Sequence, residues 1–249
     1  MTPYYANELI KLYVGDMREV LPALGLQVDL ILADPPYGET SLPWDRWPDG
    51  WLATAAQVSS SLWCFGSMRM FGEHWGEFRD ADWRMSQDLV WRKPKGTGFT
   101  ADRFRRVHEH VLHWYRGRWS DMYISPVREK ADVPRSGRVR KREMRQAPHL
   151  GNIGEGVYID DGTRLASSVI EARNLHRRGA IHPTEKPVPL LIPLITYACP
   201  PGGLIVDPFA GSGSTLEAAR LTGRRAVGIE IDERYAELAA RGLSQEALA

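Results

Sequence analysis

Three apolar runs that each stop at a carboxylate constrain this chain more than any other feature. Val28-Asp29-Leu30-Ile31-Leu32-Ala33 ends at Asp34, Leu204-Ile205-Val206 ends at Asp207, and Arg225 to Ile229 ends at Glu230. Short continuous apolar runs bounded by turn signals read as buried strands of a parallel sheet, whose carboxyl ends open onto a ligand crevice. The expected fold class is therefore α/β, with its chemistry at one edge of the sheet. After the first run stands Asp34-Pro35-Pro36-Tyr37. The prolines remove backbone donors and fix φ, which leaves carbonyls at the turn free to accept hydrogen bonds. Tyr37 offers a flat face to a planar ring, and Asp34 offers an anionic acceptor to an amino group. Together they describe a pocket for an aromatic amine; the plainer alternative is strand-to-turn punctuation with a solvated Asp.

The second run leads into Asp207-Pro208-Phe209-Ala210-Gly211-Ser212-Gly213-Ser214-Thr215. Its glycines let backbone approach a ligand and turn tightly into a helix expected near Ser214, whose free N–H groups favour an anionic group such as a carboxylate. Glu230, at the end of the next strand, is placed to bind the two hydroxyls of a ribose. Phosphate binding fits less well, because no Lys follows the last glycine and the third glycine of the dinucleotide fingerprint is missing.

These residues carry a resemblance. Asp34-Pro-Pro-Tyr37 is similar to motif IV, and Asp207-Pro-Phe-Ala-Gly-Ser-Gly213 to motif I, of S-adenosylmethionine-dependent DNA amino-methyltransferases. The catalytic motif comes first and the cofactor motif last, which resembles the β group, and His182-Pro183-Thr184-Glu185-Lys186-Pro187 looks like that group's motif X. The resemblance implies a Rossmann-like methyltransferase fold in circularly permuted order. It would have a mostly parallel seven-stranded sheet, an antiparallel hairpin at one edge and a small target-recognition insert. Residues 1–118 would form the catalytic half, 119–178 the target-recognition region, and 179–249 the cofactor-binding half of the same domain.

Composition sets bounds without deciding function. With 249 residues and 43% hydrophobic content, the chain suits one sizeable α/β domain and is neither disordered nor fibrous in character. A net charge of +1 announces no polyanion partner, yet Arg128, Lys130, Arg135, Arg138, Arg140, Lys141, Arg142 and Arg145 form a local basic excess suited to phosphates. The same run also reads as a solvated loop. Cys64 and Cys199 are too few and scattered for a disulfide framework, and no signal-like or membrane-length apolar segment stands out, so a reducing cytoplasm is expected.

Between the motifs, Leu9 to Val14 reads as a strand, Met17 to Leu24 as a helix, Trp51 to Ser60 as a helix and Ser61 to Phe65 as a buried strand. The loop Gly38 to Gly50, with Trp44 and Trp47, is long enough to be functional. Asp88 to Trp91 and His110 to Tyr115 are expected as strands flanking a basic loop, Arg92 to Gly98. His108-Glu109-His110-Val111-Leu112-His113 packs imidazoles closely but fails zinc-protease spacing, so strand-edge histidines making hydrogen bonds are expected and no metal site. From Trp119 to about Arg178 the alternation dissolves into Gly-, Pro- and Arg-rich sequence.

The resemblance also assigns roles. Asp34 and the Pro35 carbonyl would accept the hydrogens of a target amine, while Tyr37, next to Pro36, would stack on a base flipped out of the duplex. Asp16 would contact the cofactor adenine, or serve only as a helix N-cap. Phe209 would pack near the adenosyl ring and Glu230 would hold the ribose. Asp207, Gly211, Gly213 and Ser214 would line the methionine end, with Thr184 and Lys186 near the cofactor carboxylate unless that segment is simply a helix start. Double-stranded DNA is the implied partner, met by phosphate contacts from Lys93, Lys95, Arg103, Arg105, Arg106, Arg138, Arg140, Lys141 and Arg142. Asp at position 34 favours N6 of adenine; N4 of cytosine and a non-catalytic DNA-binding relic stay open, as do a homodimer and a restriction-enzyme partner. A glutamine or ribosomal methyltransferase is disfavoured by Asp34 and by the motif order.

Overall fold

The computed structural model describes residues 1–97, 102, 104–131, 138–142, 145–147, 151–153, 156–173 and 185–246. For residues 94–97, 138–142, 145–147, 151–153, 156–160 and 246 that description stops at the backbone. The N-terminal part runs β1 (Tyr5–Ala6), β2 (Ile10–Val14), α1 (Met17–Leu24), β3 (Leu30–Ala33), α2 (Trp51–Val58), β4 (Ser61–Gly66), α3 (Met68–Asp80), β5 (Arg84–Thr97) and β6 (Arg106–Tyr115). Short strands follow: β7 (Arg128–Lys130), β8 (Arg138–Arg142), β9 (Arg145–Ala147), β10 (Gly151–Ile153), β11 (Gly156–Asp160), β12 (Thr163–Leu165) and β13 (Val169–Glu171). The chain ends with α4 (Val188–Ala198), β14 (Leu204–Asp207), α5 (Ser214–Leu221), β15 (Arg225–Glu230) and α6 (Glu233–Glu246).

One nine-stranded sheet has the order β1-β2-β15-β14-β3-β4-β6-β5-β13. Strands β2, β15, β14, β3 and β4 are parallel, and β6 runs against both β4 and β5. The seven expected strands are those from β2 to β5, extended at the two edges by β1 and β13. Because β13 pairs parallel with β5, the hairpin is not outermost. Along β3, Leu30 and Leu32 join one apolar cluster while Ile31 and Ala33 join another, the two-residue period of a strand buried on both faces. Residues of α4, α5 and α6 pack on the first face and residues of α1, α2 and α3 on the second.

Two strands near the C-terminus, β14 and β15, slot between β2 and β3. From β3 the chain proceeds outward to β4, whereas from β14 it proceeds the other way to β15. The β14–β3 neighbours therefore form a topological switch point, where open α/β sheets bind ligands beyond the carboxyl ends of the strands. Register pairs Ile205 with Leu30 and Val206 with Ile31, so Asp207 comes level with Leu32 and Asp34 follows two residues further along the neighbouring strand, although the two aspartates are far apart in sequence.

Two expectations change. The basic stretch after Trp91 is not a loop through Thr97, because β5 continues to that residue with a register shift between Arg92 and Thr97. An antiparallel ribbon tolerates solvated charges, and the irregularity absorbs Pro94, which has no N–H for the ladder. Nor are the histidines of β6 at a sheet edge, since β6 lies between β4 and β5. His113 is fully buried, its ring nitrogens 3.1 Å from Ser61 Oγ and 2.6 Å from Ser86 Oγ. Burial pushes its pKa down to about 4, which keeps the imidazole neutral. Among the described residues, no three His, Cys, Asp or Glu side chains gather to hold a metal, and no helix is long and apolar enough to cross a membrane.

Contacts divide the chain into two units, Met1–Ser125 with Ser168–Ala249, and Pro126–Ser167. The second unit pairs β7 with β12, β8 with β11 and β9 with β10, all antiparallel and nested in sequence order. Arg138, Arg140, Lys141 and Arg142 stand on its strand β8.

Candidate active site

The ligand crevice of the first unit is built by strand ends. Asp207 closes β14, is 4% exposed, and its Oδ1 accepts the Phe209 N–H at 3.0 Å. The turn that follows holds Gly211 at φ 50° and Gly213 at φ 85°, left-handed values that glycine adopts without penalty. A Cβ on Gly213 would also come within 3.2 Å of Ala239 on α6. Gly213 is the N-cap of α5 and supplies no side-chain cap, so the helix's first turn, Ser214 and Thr215, faces the crevice uncapped.

Glu230 closes β15. Its Oε2 accepts the Gly211 N–H at 2.7 Å and its Oε1 the Asp232 N–H at 2.9 Å. Those bonds fix the carboxylate, which keeps acceptor capacity for a further donor. Burial raises the pKa of Glu230 and drives that of Asp207 up to about 7. Asp16, at the end of β2, is the N-cap of α1, accepting the Arg18 N–H at 2.9 Å and pairing with the Arg18 guanidinium.

At the end of β3, Asp34 Oδ1 accepts the Tyr37 hydroxyl at 2.7 Å and Oδ2 accepts Lys186 Nζ at 2.5 Å. Lys186 also lies 3.5 Å from Glu109 Oε2, and Glu109 in turn pairs with Lys93. Burial first, then the charge on Asp34, holds the Tyr37 hydroxyl well above its ordinary range. The loop after Tyr37 is tied to itself and to α3: Asp45 accepts the N–H groups of Gly38 and Thr40, and Trp47 stacks 4.0 Å from His74 while donating to Glu77 at 2.9 Å.

These groups enclose a cavity of about 470 Å³. Asp16, Asp34, Pro35, Pro36, Tyr37, Lys186, Asp207, Phe209, Gly211, Ser214 and Glu230 all line it. Gly213 supports the turn without lining the cavity, and Thr184 lies outside the described residues. Lys186 was expected near a cofactor carboxylate; its ammonium instead pairs with Asp34 and Glu109. Glu109, Arg18, Glu185 and Asp232 line the cavity without having been anticipated. Glu109 had been weighed only as part of the histidine cluster; strand alternation, which gives it the same face as Val111 and His113, was the available signal.

The expected phosphate contacts are placed unevenly. Lys93 is bound to Glu109, and Arg106 NH1 pairs with Glu39 at 3.0 Å. Arg105 is exposed. Lys95 and the four basic residues of β8 are described by backbone only, and Arg103 lies outside the described residues.

Known proteins share this architecture. The M1.HpyAVI–SAM complex superposes with a TM-score of 0.64 at 19% identity, covering 94% of this chain and all of that one. The PvuII DNA methyltransferase, titled cytosine-N4-specific, gives a TM-score of 0.66 at 15% identity, covering 96% of this chain and 87% of its own. At the sequence level the chain is 26% identical, over an alignment 267 positions long, to the type II methyltransferase M.ScaI of Streptomyces caespitosus, covering 98% of this chain and 84% of that protein. A family model described as DNA methylase, N6_N4_Mtase, matches residues 28–241. That span runs from the strand before Asp34 through the helix after Glu230, and the chain belongs to the N6/N4 DNA methylase family.

Proposed function

We propose that this protein transfers a methyl group from S-adenosylmethionine to the exocyclic N6 of adenine in a specific sequence of double-stranded DNA. The observation that carries the reading is the shared cavity at the switch point, where Asp34 and Tyr37 face the same space as Asp207, Phe209 and Glu230. Its volume falls within the usual range for small-molecule sites. The donor set also fits: Glu230 suits vicinal hydroxyls, Phe209 an adenine ring, and the carboxylates of Asp16, Asp34, Asp207 and Asp232 a cationic ligand. When bound, S-adenosylmethionine supplies an already activated sulfonium methyl, so the protein mainly aligns and shields.

An exocyclic amine is a poor nucleophile because its lone pair is delocalised into the ring. Asp34 and the Pro35 carbonyl, by accepting both amine hydrogens, favour a pyramidal nitrogen whose lone pair can attack. Tyr37 stacks on the flipped base while its hydroxyl holds Asp34 Oδ1 in place. A carboxylate is a weak base, so Asp34 takes a proton only after methylation has acidified the amine. Segment 119–178, which contains strands β7 to β12, is the proposed target-recognition region. The likeness to M.ScaI supports a restriction-modification setting.

Aspartate at position 34 supports adenine as the target; the PvuII likeness supports N4 of cytosine as the second reading. The experiment is transfer of tritiated methyl from S-adenosylmethionine to unmethylated duplex DNA, followed by nucleoside chromatography. Label in N6-methyladenine is expected. Label in N4-methylcytosine would overturn the base assignment, and DNA left unlabelled would overturn the reaction.

A further inference from the structure

Lys186 is 8% exposed, and its ammonium is placed among four groups from three other segments. Asp34 Oδ2 at the end of β3 lies 2.5 Å away and Glu109 Oε2 on β6 lies 3.5 Å away. The Phe65 ring at the end of β4 lies 5.1 Å away and the Tyr37 ring 6.0 Å away. Beyond Glu109 comes Lys93 on β5, so charges alternate as Asp34, Lys186, Glu109, Lys93. A lysine ammonium this deep is costly unless paired. Burial alone would weaken its hold on the proton, but Asp34 and Glu109 together outweigh burial and raise its pKa. For Glu109 burial opposes ionisation, and Lys186 with Lys93 outweighs it, lowering the pKa. Both groups therefore stay charged at neutral pH.

Lys93 already neutralises Glu109, so the ammonium of Lys186 is not needed to keep that carboxylate company. Its position inside the reaction cavity, on the one oxygen of Asp34 that Tyr37 leaves, is what requires explanation. We propose that Lys186, held by Glu109, is a positioning residue for methyl transfer: it fixes Asp34 Oδ2 so that Oδ1, with the Tyr37 hydroxyl, faces the acceptor amine. The inference rests on the methyl-transfer reading above. In the step it serves, the amine lone pair forms the new N–C bond while the C–S bond breaks with its electron pair going to sulfur. An N–H electron pair then returns to nitrogen as the proton passes to Asp34 Oδ1 and on to water. Lys186 neither gains nor loses a proton; its ammonium stays on Asp34 Oδ2 while Oδ1 accepts.

The test uses Lys186→Met, Lys186→Arg and Glu109→Gln in full-length protein, with single-turnover methyl transfer to duplex DNA. Lys186→Met should slow transfer at neutral pH by roughly 10–100-fold, with S-adenosylmethionine affinity by calorimetry within about threefold of wild type (~0.65 kcal/mol). Lys186→Arg, which keeps a charged donor for Asp34 Oδ2, should recover most of the lost rate. Glu109→Gln, which loosens the seat of the ammonium without removing it, should slow transfer by less than Lys186→Met does. Transfer at the wild-type rate in Lys186→Met, or a loss that arginine does not relieve, would overturn the proposal. A reaction-free reading is NMR titration of the Lys186 ammonium, which should lose its proton at lower pH in Asp34→Asn than in wild type. No change there removes the pair itself, whereas a clear change alongside wild-type protein that methylates no DNA would bring down the functional reading and leave the pair standing.

Discussion

The two strand ends that meet in the cavity satisfy their carboxylates in opposite ways. On the β14–β15 side the partners are local and neutral: Asp207 is bonded by the Phe209 N–H and the Thr215 side chain, and Glu230 by the Gly211 and Asp232 N–H groups. On the β3 side one partner of Asp34 is a cation, Lys186, from 152 residues further along the chain. Neutral donors fix a carboxylate without delivering a full countercharge, which suits Asp207 and Glu230 to a cationic, hydroxyl-bearing ligand on the proposed reading. A lysine delivers a full charge and a fixed direction, which suits a group that must present one oxygen to a reacting amine. On the proposed function, the difference separates a binding half from a reacting half.

The sharpest way to break that contrast is Asp34→Ala. If the β3 side does chemistry and the β14–β15 side binding, methyl transfer should fall by at least about 10³-fold, on the scale of losing oxyanion-type stabilisation and the proton acceptor together. Cofactor affinity should stay within about tenfold, or about 1.4 kcal/mol. Tritium transfer near the wild-type rate would show that the division is wrong.

Next in size is the pH dependence of stability from Asp207. Its folded pKa is raised by burial to about 7 from 3.8. The folded state therefore binds a proton that the unfolded chain has released. Its contribution is fully present below about pH 4 and is lost as pH rises through about 7, with an upper scale of roughly 4 kcal/mol. Asp207→Asn, whose amide oxygen still accepts from Phe209, should flatten the decline seen in urea melts of cofactor-free protein between those pH values. Glu230, also raised by burial, leaves a smaller slope of the same sign. A wild-type slope in the variant would mean that Asp207 is not the buried acid this geometry makes it.

What was legible in the sequence follows the same divide. The turn from β14 into α5 could be read because glycine φ values, a helix start at Ser214 and a strand-ending acid are decided within a few residues. Helix α1 was legible for the same reason, with Asp16 capping it and Gly25 ending it in the left-handed region. The Asp34–Lys186–Glu109 cluster depends on three segments converging, which neither propensity nor alternation encodes. Strand β13 was missed because its three residues are exposed or half-exposed and show no apolar run, and its pairing with β5, which includes the Arg92–Glu171 ion pair, is set by tertiary contact. The continuation of β5 through its basic stretch was missed because charge and Pro94 argued for a loop, and tertiary pairing with β6 prevailed.

A smaller effect sharpens the binding half. Glu230→Ala removes the carboxylate proposed to take the ribose hydroxyls and should weaken S-adenosylmethionine binding by roughly 1–3 kcal/mol, the scale of a lost hydrogen bond to a charged group. Because Glu230 also accepts from Gly211 and Asp232, Glu230→Gln is the companion variant that retains an acceptor for the turn. If calorimetry gives the same affinity in both as in wild type, Glu230 is only a brace for the glycine turn and the ligand's hydroxyls sit elsewhere.

The smallest effect extends the contrast to the basic residues proposed for DNA. Lys93 and Arg106 are bound to Glu109 and Glu39, so much of their charge is already answered within the protein. Arg138, Arg140, Lys141 and Arg142 crowd one short strand, whose partner β11 brings only Asp160 as an acid. Four cations at neighbouring positions repel one another unless phosphates or other anions answer them. Neutralising the four together should reduce DNA affinity and make the slope of log K against log salt shallower by about 0.9 for each lost duplex contact. Phosphate contacts carry no sequence information, so cognate and random duplexes should weaken alike while cofactor affinity stays unchanged. A loss confined to cognate DNA would place some of these side chains at base edges. An unchanged slope would move the phosphate surface to Lys95, Arg103 and Arg105, with Lys93 and Arg106 contributing only if DNA displaces their carboxylates.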